Sequence, residues 1–520
     1  MLLSCCLLIT VLLQSLLQSL SFLHMLQLES YQNAHYARWC REHPRRVFPI
    51  SRLLNAAALI VAAVLSHFGR LPASWTVAFC GIAVGLIGAL PQKAKKPLVL
   101  TWRVRRMLMT LGGFAVLLAA AVLLSPVGAQ FLLCAVWLCA VFLLVPAANA
   151  FNAPIERAIA QHFVDDARRR LREQKNLRVI GITGSYGKTS TKVFLQALLS
   201  TRYNVLMTPE SYNTTMGVVR TVRERLLPTH EIFIAEMGAK NVGEIREICD
   251  IVHPQYGILT SIGEQHLESF GSVENIIRTK FELAEALPAD GFLCLNTDNP
   301  YIAAHPVTNT RTVSYGVAAD STADYRAADI TVGRDGSRFT VIAPDGERCT
   351  FTTRLLGAHN IQNLLGCIAL CHTLGIPLKK LVYPTSLLQA VPHRLQLLPN
   401  GFIDDAFNSN PAGFRSALDA LSGFPGQRVL VTPGMVELGE RQEALNEELG
   451  AYAAQRCDYA VLVGERQAPP LEKGLREAGF PAERIFVASS LQEALRHVAS
   501  LPNEGPRTVL LENDLPDNYN

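Results

Sequence analysis

Val179-Ile-Gly-Ile-Thr-Gly-Ser-Tyr-Gly-Lys-Thr-Ser190 is the stretch that decides the fold. The apolar run Leu177 to Ile182 reads as a buried strand, the glycines as a tight turn, and Lys188 as the opening of a helix. A strand, a glycine-rich turn and a helix in that order make an anion site. Backbone N–H groups of the turn (Gly184, Ser185, Gly187) and of the helix N-terminus (Lys188, Thr189, Ser190) are set to face a phosphate, and Lys188 adds a point charge. The Thr189 hydroxyl is placed to ligate Mg²⁺. The strict pattern G-x-x-x-x-G-K-[ST] needs Gly at 182, where this chain has Ile, so the generic form fails by one residue.

Downstream, apolar runs at Tyr203–Met207, Glu231–Met237, Gln255–Ile262 and Gly291–Asn296 alternate with helical patterns. That alternation predicts a parallel sheet with helices on both faces, and ligands collect at the carboxyl ends of its strands. Glu236 closes the run Ile232-Phe-Ile-Ala-Glu236 and is placed as a Mg²⁺ ligand. The next run leads into Ser261-Ile-Gly-Glu-Gln-His266-Leu-Glu-Ser-Phe-Gly-Ser272 and then a helix holding Lys280. Asn296-Thr-Asp298 reads as a strand-end turn. A β-rich stretch from Arg311 to Arg354 precedes Gly357-Ala-His-Asn360-Ile-Gln-Asn363, where His359 and Asn360 read as helix N-cap residues. A second α/β pattern begins at His393, with apolar runs at Gly401–Ile403, Val429–Val431, Ala460–Val463, Ile485–Val487 and Val509–Leu511.

The first 150 residues differ in kind. Five apolar stretches, roughly 2–26, 49–68, 74–91, 107–125 and 130–149, are long enough or nearly so to cross a bilayer. A cleaved signal peptide competes for the first, which contains Gln14 and Gln18, but no basic segment precedes it. Two loops are basic: Arg38, Arg41, Arg45 and Arg46 lie in one, and Lys93, Lys95, Lys96, Arg103, Arg105 and Arg106 in the other. By the positive-inside rule both are cytoplasmic, which predicts a multi-pass protein of the plasma membrane with everything after Ala150 inside the cell. The basic loops set topology and are also able to hold lipid headgroups or a lipid pyrophosphate. Residues 151–176, with Arg168-Arg-Arg-Leu-Arg172, read as an amphipathic linker. The net charge of +4 over 520 residues gives no footprint for nucleic acid. Twelve cysteines without a C-x-x-C pair read as reduced thiols.

Gly181-Ile-Thr-Gly184-x-x-Gly187-Lys188-Thr189-Ser190 resembles the variant phosphate loop of the Mur ligases, a family of ATP-dependent amide-forming enzymes. Glu236-Met-Gly-Ala239, Gly243-Glu-Ile245, His266-Leu-Glu-x-Phe-Gly-Ser272 and Thr279-Lys280-x-Glu282 are similar to its MurF branch. The resemblance implies a P-loop central domain (177–392) and a Rossmann-like C-terminal domain (393–520) that closes over ATP. It implies two Mg²⁺ ions, with His266 and a CO₂-carbamoylated Lys280 at the second. Asn296 and Asn360 become nucleotide contacts. Asn213-Thr214-Thr-Met-Gly217 matches the acceptor-binding segment Asn-Asn-x-x-Gly, with Thr214 for the second Asn. Asp404-Asp405-Ala-Phe-Asn408-Ser-Asn410-Pro411 matches Asp-Asp-x-Tyr-Asn-x-Asn-Pro, which puts Asp405 on the ribose, Arg394 on the phosphates, and Asn408 and Asn410 near substrate. Gly434-Met-Val-Glu437-Leu-Gly439 is another match.

Two departures matter. A Lys-Gly-Ser/Ala loop of the family is replaced by Leu511-Glu-Asn-Asp-Leu-Pro-Asp-Asn-Tyr519, and an acidic loop repels a free carboxylate on the incoming amine. Membrane spans stand where the family has a soluble UDP-binding domain. The expected function is therefore a membrane-bound ligase that activates a carboxylate as its acyl phosphate and joins it to an amino acid or peptide amine, on a lipid-linked cell-envelope precursor. A true MurF acting on a UDP-linked precursor and D-Ala-D-Ala, a poly-amino-acid synthase, and a nucleotide-binding membrane scaffold are the alternatives.

Overall fold

The computed structural model describes residues 2–90, 97–265, 267–407, 410–436, 438–464, 468–502 and 505–515. The chain divides into two compact units, Met1–His162 and Phe163–Asn520.

The first unit is helical: α1 (Leu2–Leu28), α2 (Asn33–Glu42), α3 (Pro44–Val47), α4 (Ile50–His67), α5 (Leu71–Gly88), α6 (Trp102–Leu123) and α7 (Val127–Glu173), which continues into the second unit. Five of these, α1, α4, α5, α6 and α7, are long and apolar enough to cross a membrane. The glutamines of α1 turn inward. Gln14 is fully buried, and its Oε1 accepts a hydrogen bond of 2.8 Å from Asn55 Nδ2 on α4. Both side chains press on Gly85 of α5, where an added Cβ would lie 2.3 Å from Gln14 Nε2. Small residues and interhelical amide bonds hold apolar helices together in this way.

The helices begin and end away from the sequence-based bounds in two places. Arg103, Arg105 and Arg106 lie in the first turns of α6 rather than in a loop, where Arg106 forms a two-pronged pair with Glu156 (2.6 and 2.9 Å). No break separates the last apolar span from residues 151–173. A single 47-residue helix runs through Pro146 and Pro154. Proline is tolerated inside apolar helices when neighbouring groups satisfy the freed carbonyls, and the Tyr36 hydroxyl donates at 2.9 Å to the carbonyl of Phe142, four residues before Pro146. Lys93, Lys95 and Lys96 lie outside the described residues.

The second unit holds two sheets. In the larger, β1 (Arg178–Thr183), β2 (Val205–Met207), β3 (Ile232–Glu236), β4 (Tyr256–Leu259), β5 (Phe292–Asn296), β6 (Arg311–Gly316), β7 (Tyr325–Gly333), β8 (Gly336–Ile342) and β9 (Arg348–Thr353) lie in the order 2-3-1-4-5-6-7-8-9. Pairing is parallel from β2 through β7 and antiparallel for β8 and β9. The helices α8 (Lys188–Leu199), α9 (Thr215–Arg225), α10 (Glu244–Val252), α11 (Leu267–Phe270), α12 (Val273–Ala286), α13 (Pro300–Ala303), α14 (Ala358–Thr373) and α15 (Leu378–Ser386) accompany it. β1 is buried on both faces, as a central parallel strand must be. Ile180 and Ile182 enter one core with Phe194 and Leu364, while Val179 enters the other with Ile248 and Leu283.

The smaller sheet has the order 10-11-15-12-13-14, from β10 (Gln396–Leu397), β11 (Phe402–Asp405), β12 (Gln427–Thr432), β13 (Tyr459–Val463), β14 (Ile485–Ala488) and β15 (Arg507–Glu512). Only the edge strand β10 is antiparallel. The helices here are α16 (Pro411–Ser422), α17 (Gln442–Ala453), α18 (Ala468–Glu477) and α19 (Leu491–Ser500). All twelve cysteines are free.

Candidate active site

The β1–α8 turn forms as its sequence requires. Gly184 and Gly187 have φ of +150° and +81°. A Cβ at Gly184 would sit 2.1 Å from Thr260 Oγ1, and one at Gly187 2.4 Å from Asn363 Oδ1. Both positions therefore need glycine for conformation and for space. The turn is fastened to the loop after β4. Ser185 N donates to Ser261 O (2.7 Å), Tyr186 N to Ser261 Oγ (3.2 Å), and Thr260 Oγ1 to Tyr186 O (2.5 Å). With the Ser185 and Tyr186 amides so occupied, the open donors are those of Lys188, Thr189 and Ser190 in the first turn of α8. Lys188 Nζ folds back onto the carbonyls of Gly184 (2.6 Å) and Ser185 (2.9 Å). Burial, with Arg394 adding to it against the pull of Glu236, lowers its pKa to about 8.

The parallel register sets Ile182 opposite Glu236, so the end of β3 lies beside the turn. Thr189 Oγ1 donates to Glu236 Oε1 at 3.0 Å, and both residues are buried. A hydroxyl and a carboxylate beside open helix amides are hard oxygen donors, and this set fits Mg²⁺. The described residues contain no cluster of three or more His, Cys, Asp or Glu. Mg²⁺ is held by one or two carboxylates and completed by phosphate and water. The ion would supply charge neutralisation of a polyphosphate there.

Lys280, on α12, is 3% exposed, with Nζ 5.7 Å from the Phe270 ring centre. Burial and the nearby Lys188 lower its pKa to about 7, against the pull of Glu282 and Glu244. Glu282 caps α10, accepting from Gly243 N (2.7 Å) and Arg246 N (2.8 Å). His266 and Asn408 lie outside the described residues, as does Glu437.

Asn213 Nδ2 reaches Glu236 Oε1 at 3.3 Å, which joins the segment expected to meet the acceptor to this site. Thr214 caps α9 through Gly217 N (3.3 Å). Arg394 stacks on Phe407 (4.4 Å) and donates to Thr189 Oγ1 at 3.4 Å. The backbone on either side of Arg394 is left-handed, at φ +60° for His393 and +49° for Leu395. Leu395 N donates to Asp405 Oδ1 (2.9 Å). Burial raises Asp405 to about 6, against its bonds to Leu395 N and to Glu512, which stands beside it across β11 and β15. Asn410 caps α16 through Gly413 N (2.8 Å).

Asn296 and Asn360 differ in their surroundings. Asn360 Nδ2 bonds Leu356 O (2.9 Å) within its own helix start. Asn296 donates to Thr260 O (2.7 Å), accepts from Gln362 (3.0 Å), and lines a cavity of about 400 Å³ with Tyr186, Glu264, Asn299, Gln362 and Arg441. The Arg441–Glu264 ion pair closes one side of that cavity. The structure adds Ser261, Gln362, Arg441 and Lys192 to the residues read from sequence. Lys192 had a usable signal: it lies three residues after Thr189, one helical turn along the same face.

His359 Nδ1 is 2.6 Å from Ser416 Oγ, and burial lowers its pKa from 6.5 to about 4. Between those values the unfolded chain binds a proton that the folded chain does not. His359 therefore withdraws stability as pH falls from 6.5 toward 4 and has no such effect above 6.5. Thermal unfolding across this range is expected to show a shallower acid loss in His359→Gln than in the parent chain; identical slopes would contradict the assignment.

Comparison with known proteins gives the family. Residues 182–371 match the Mur ligase middle domain, and residues 393–511 match the Mur ligase, glutamate ligase domain. The UDP-N-acetylmuramoyl-tripeptide–D-alanyl-D-alanine ligase of Escherichia coli is 32% identical over 349 residues, covering 66% of this chain and 77% of that protein. That of Bacillus subtilis is 30% identical over 341 residues, covering 64% and 72%. MurF from Acinetobacter baumannii superposes with a TM-score of 0.62 at 27% identity, over 68% of this chain and 77% of that one. The MurF ligase of Thermotoga maritima in complex with ADP gives 0.61 at 25% identity, over 68% and 80%. The chain belongs to the Mur ligase family, as a MurF-like ATP-dependent amide ligase in which an apolar helical region replaces the UDP-binding domain.

Proposed function

We propose that this ligase is anchored in the bacterial plasma membrane, with its catalytic domains in the cytoplasm, and that it extends a lipid-linked cell-envelope precursor. The observation that carries the reading is the five apolar helices in place of the UDP-binding domain. An acceptor held by its lipid needs no nucleotide handle. Residues 1–150 would be the membrane region, 151–176 its connector, 177–392 the central ATP-binding domain and 393–520 the closing domain.

In this reading Gly184 and Gly187 shape the turn, Ser185 braces it through Ser261 and Gly263 and not through a free amide, Lys188 and Ser190 cradle the ATP phosphates, and Thr189 and Glu236 hold Mg²⁺. Asn296 and Asn360 serve the nucleotide, Asp405 the ribose and Arg394 the phosphates. Asn213, Thr214, Asn408 and Asn410 face substrate. Catalysis is positioning and charge neutralisation during phosphoryl transfer, followed by attack of the amine on the acyl phosphate. His266 and Lys280 would hold a second ion. Carbamoylation needs the free amine of lysine, and a buried Lys280 with pKa near 7 has a neutral fraction at cellular pH. The acidic stretch that starts at Glu512 favours an amine without a free carboxylate.

Three measurements test this. With ATP and an amine co-substrate (D-Ala-D-Ala) present, ADP release by detergent-purified protein is expected with an undecaprenyl-linked peptidoglycan precursor and not with UDP-MurNAc-tripeptide. The reverse result would favour the second reading, a membrane-anchored enzyme with the substrates named for its curated relatives. Lys188→Ala is expected to lower turnover by at least about 10²-fold with the fold retained, from loss of transition-state charge stabilisation; full ATP turnover in that variant would defeat the mechanism. In ¹³C-bicarbonate, a carbamate carbon resonance is expected from the parent chain and not from Lys280→Ala. Its absence from both would remove the carbamate.

A further inference from the structure

Lys192 is 1% exposed in the interior of α8, and its Nζ lies 2.8 Å from Glu236 Oε2. The same ammonium donates to the carbonyl of Glu210, a residue at φ +43° in the turn before Asn213. The other oxygen of Glu236, Oε1, takes Thr189 and Asn213. The two oxygens thus have separate duties. One lies at ion-pair distance from the Lys192 ammonium, and the other faces the hydroxyl of the phosphate-binding helix.

We propose that Lys192 is a positioning residue of the metal–nucleotide site, which reserves Glu236 Oε1 as a single-oxygen ligand and ties the Glu210–Asn213 turn to α8. The proposal rests on the reading of Thr189 and Glu236 as Mg²⁺ ligands. Two physical points carry it. An ion pair taken out of water recovers its desolvation cost only with good geometry and added hydrogen bonds, and apolar residues pack such a volume as well or better. What Lys192 supplies beyond packing is a fixed place for one oxygen of Glu236. Mg²⁺ demands near-octahedral geometry with short bonds, whereas Ca²⁺ accepts a carboxylate through both oxygens. Holding Oε2 on Lys192 therefore favours the smaller ion. The Glu210 bond places the expected acceptor segment on the same ammonium, so the metal site and the Asn213 side chain share one support.

The test is calorimetric titration of ADP into the full chain at graded Mg²⁺ or Ca²⁺, for the parent, Lys192→Met and Lys192→Gln, with folding checked by thermal unfolding. In Lys192→Met the Mg²⁺ concentration for half-maximal ADP binding is expected to rise by about 10- to 100-fold, the usual loss when the partner of a metal ligand is removed. The Ca²⁺ dependence is expected to move less. Lys192→Gln, which keeps hydrogen-bonding reach without charge, is expected to fall between. A folded variant with the parent's Mg²⁺ and Ca²⁺ dependence would overturn the proposal, even if its melting temperature had dropped. Failure of both variants to fold would assign Lys192 to stability and overturn it as well. Absence of Mg²⁺-dependent ADP binding by the parent chain would instead overturn the reading of Thr189 and Glu236, and the proposal with it.

Discussion

Three adjacent parallel strands hold this site together. β1 pairs in register with β3 on one side and β4 on the other, so that Ile182 lies opposite Glu236 and Thr183 opposite Leu259. The polar residues of the site gather at those pairs and just beyond them. The glycine turn leaves β1, Glu236 ends β3, and Thr260 and Ser261 follow β4. Because side chains alternate along a strand, a slip of one residue in either pairing would turn Glu236 away from Thr189 and Ser261 away from the turn. The apolar residues of β1, packed on both faces, fix that register.

The charge pattern follows from the same placement. Lys188, Lys192, Lys280 and Arg394 gather around the turn, with Glu236 acting on Lys188 and Arg394, Asp405 on Arg394, and Glu282 and Glu244 on Lys280. Burying this many cations is costly in an unliganded protein. Desolvation shows in the lowered pKa of Lys188 and Lys280, and the neighbouring carboxylates, with Lys192 paired to Glu236, offset part of it. A polyphosphate with its metal restores the balance, so nucleotide affinity and the stability of the loaded fold draw on the same term.

Much of this was legible in the sequence, for identifiable reasons. The phosphate loop, Glu236 and Lys280 announce themselves by residue type at strand ends and in family order. Lys192 is marked only by its place one helical turn after Thr189, a weak sign because a lysine in a helix ordinarily faces water. The continuity of α7 was hidden by Pro146, Pro154 and a change from apolar to charged residues, all of which read as boundaries in water. The partners of Ser185 and Tyr186 were hidden too, since an amide committed to a distant loop leaves no trace in local sequence. The two outer strands β8 and β9 were visible only as a β-rich stretch, because which edge they join is a tertiary fact.

The seam between the glycine turn and residues 260–263 governs how the site meets its ligand. Ser185 and Tyr186 are stitched to Ser261 and Gly263 by backbone and hydroxyl bonds. A turn secured in this way does not reshape itself around whatever anion arrives. Discrimination between polyphosphates then becomes a matter of length and angle against a fixed gauge, and a ligand displaced by a fraction of an ångström is refused by geometry, however strongly its charge is attracted.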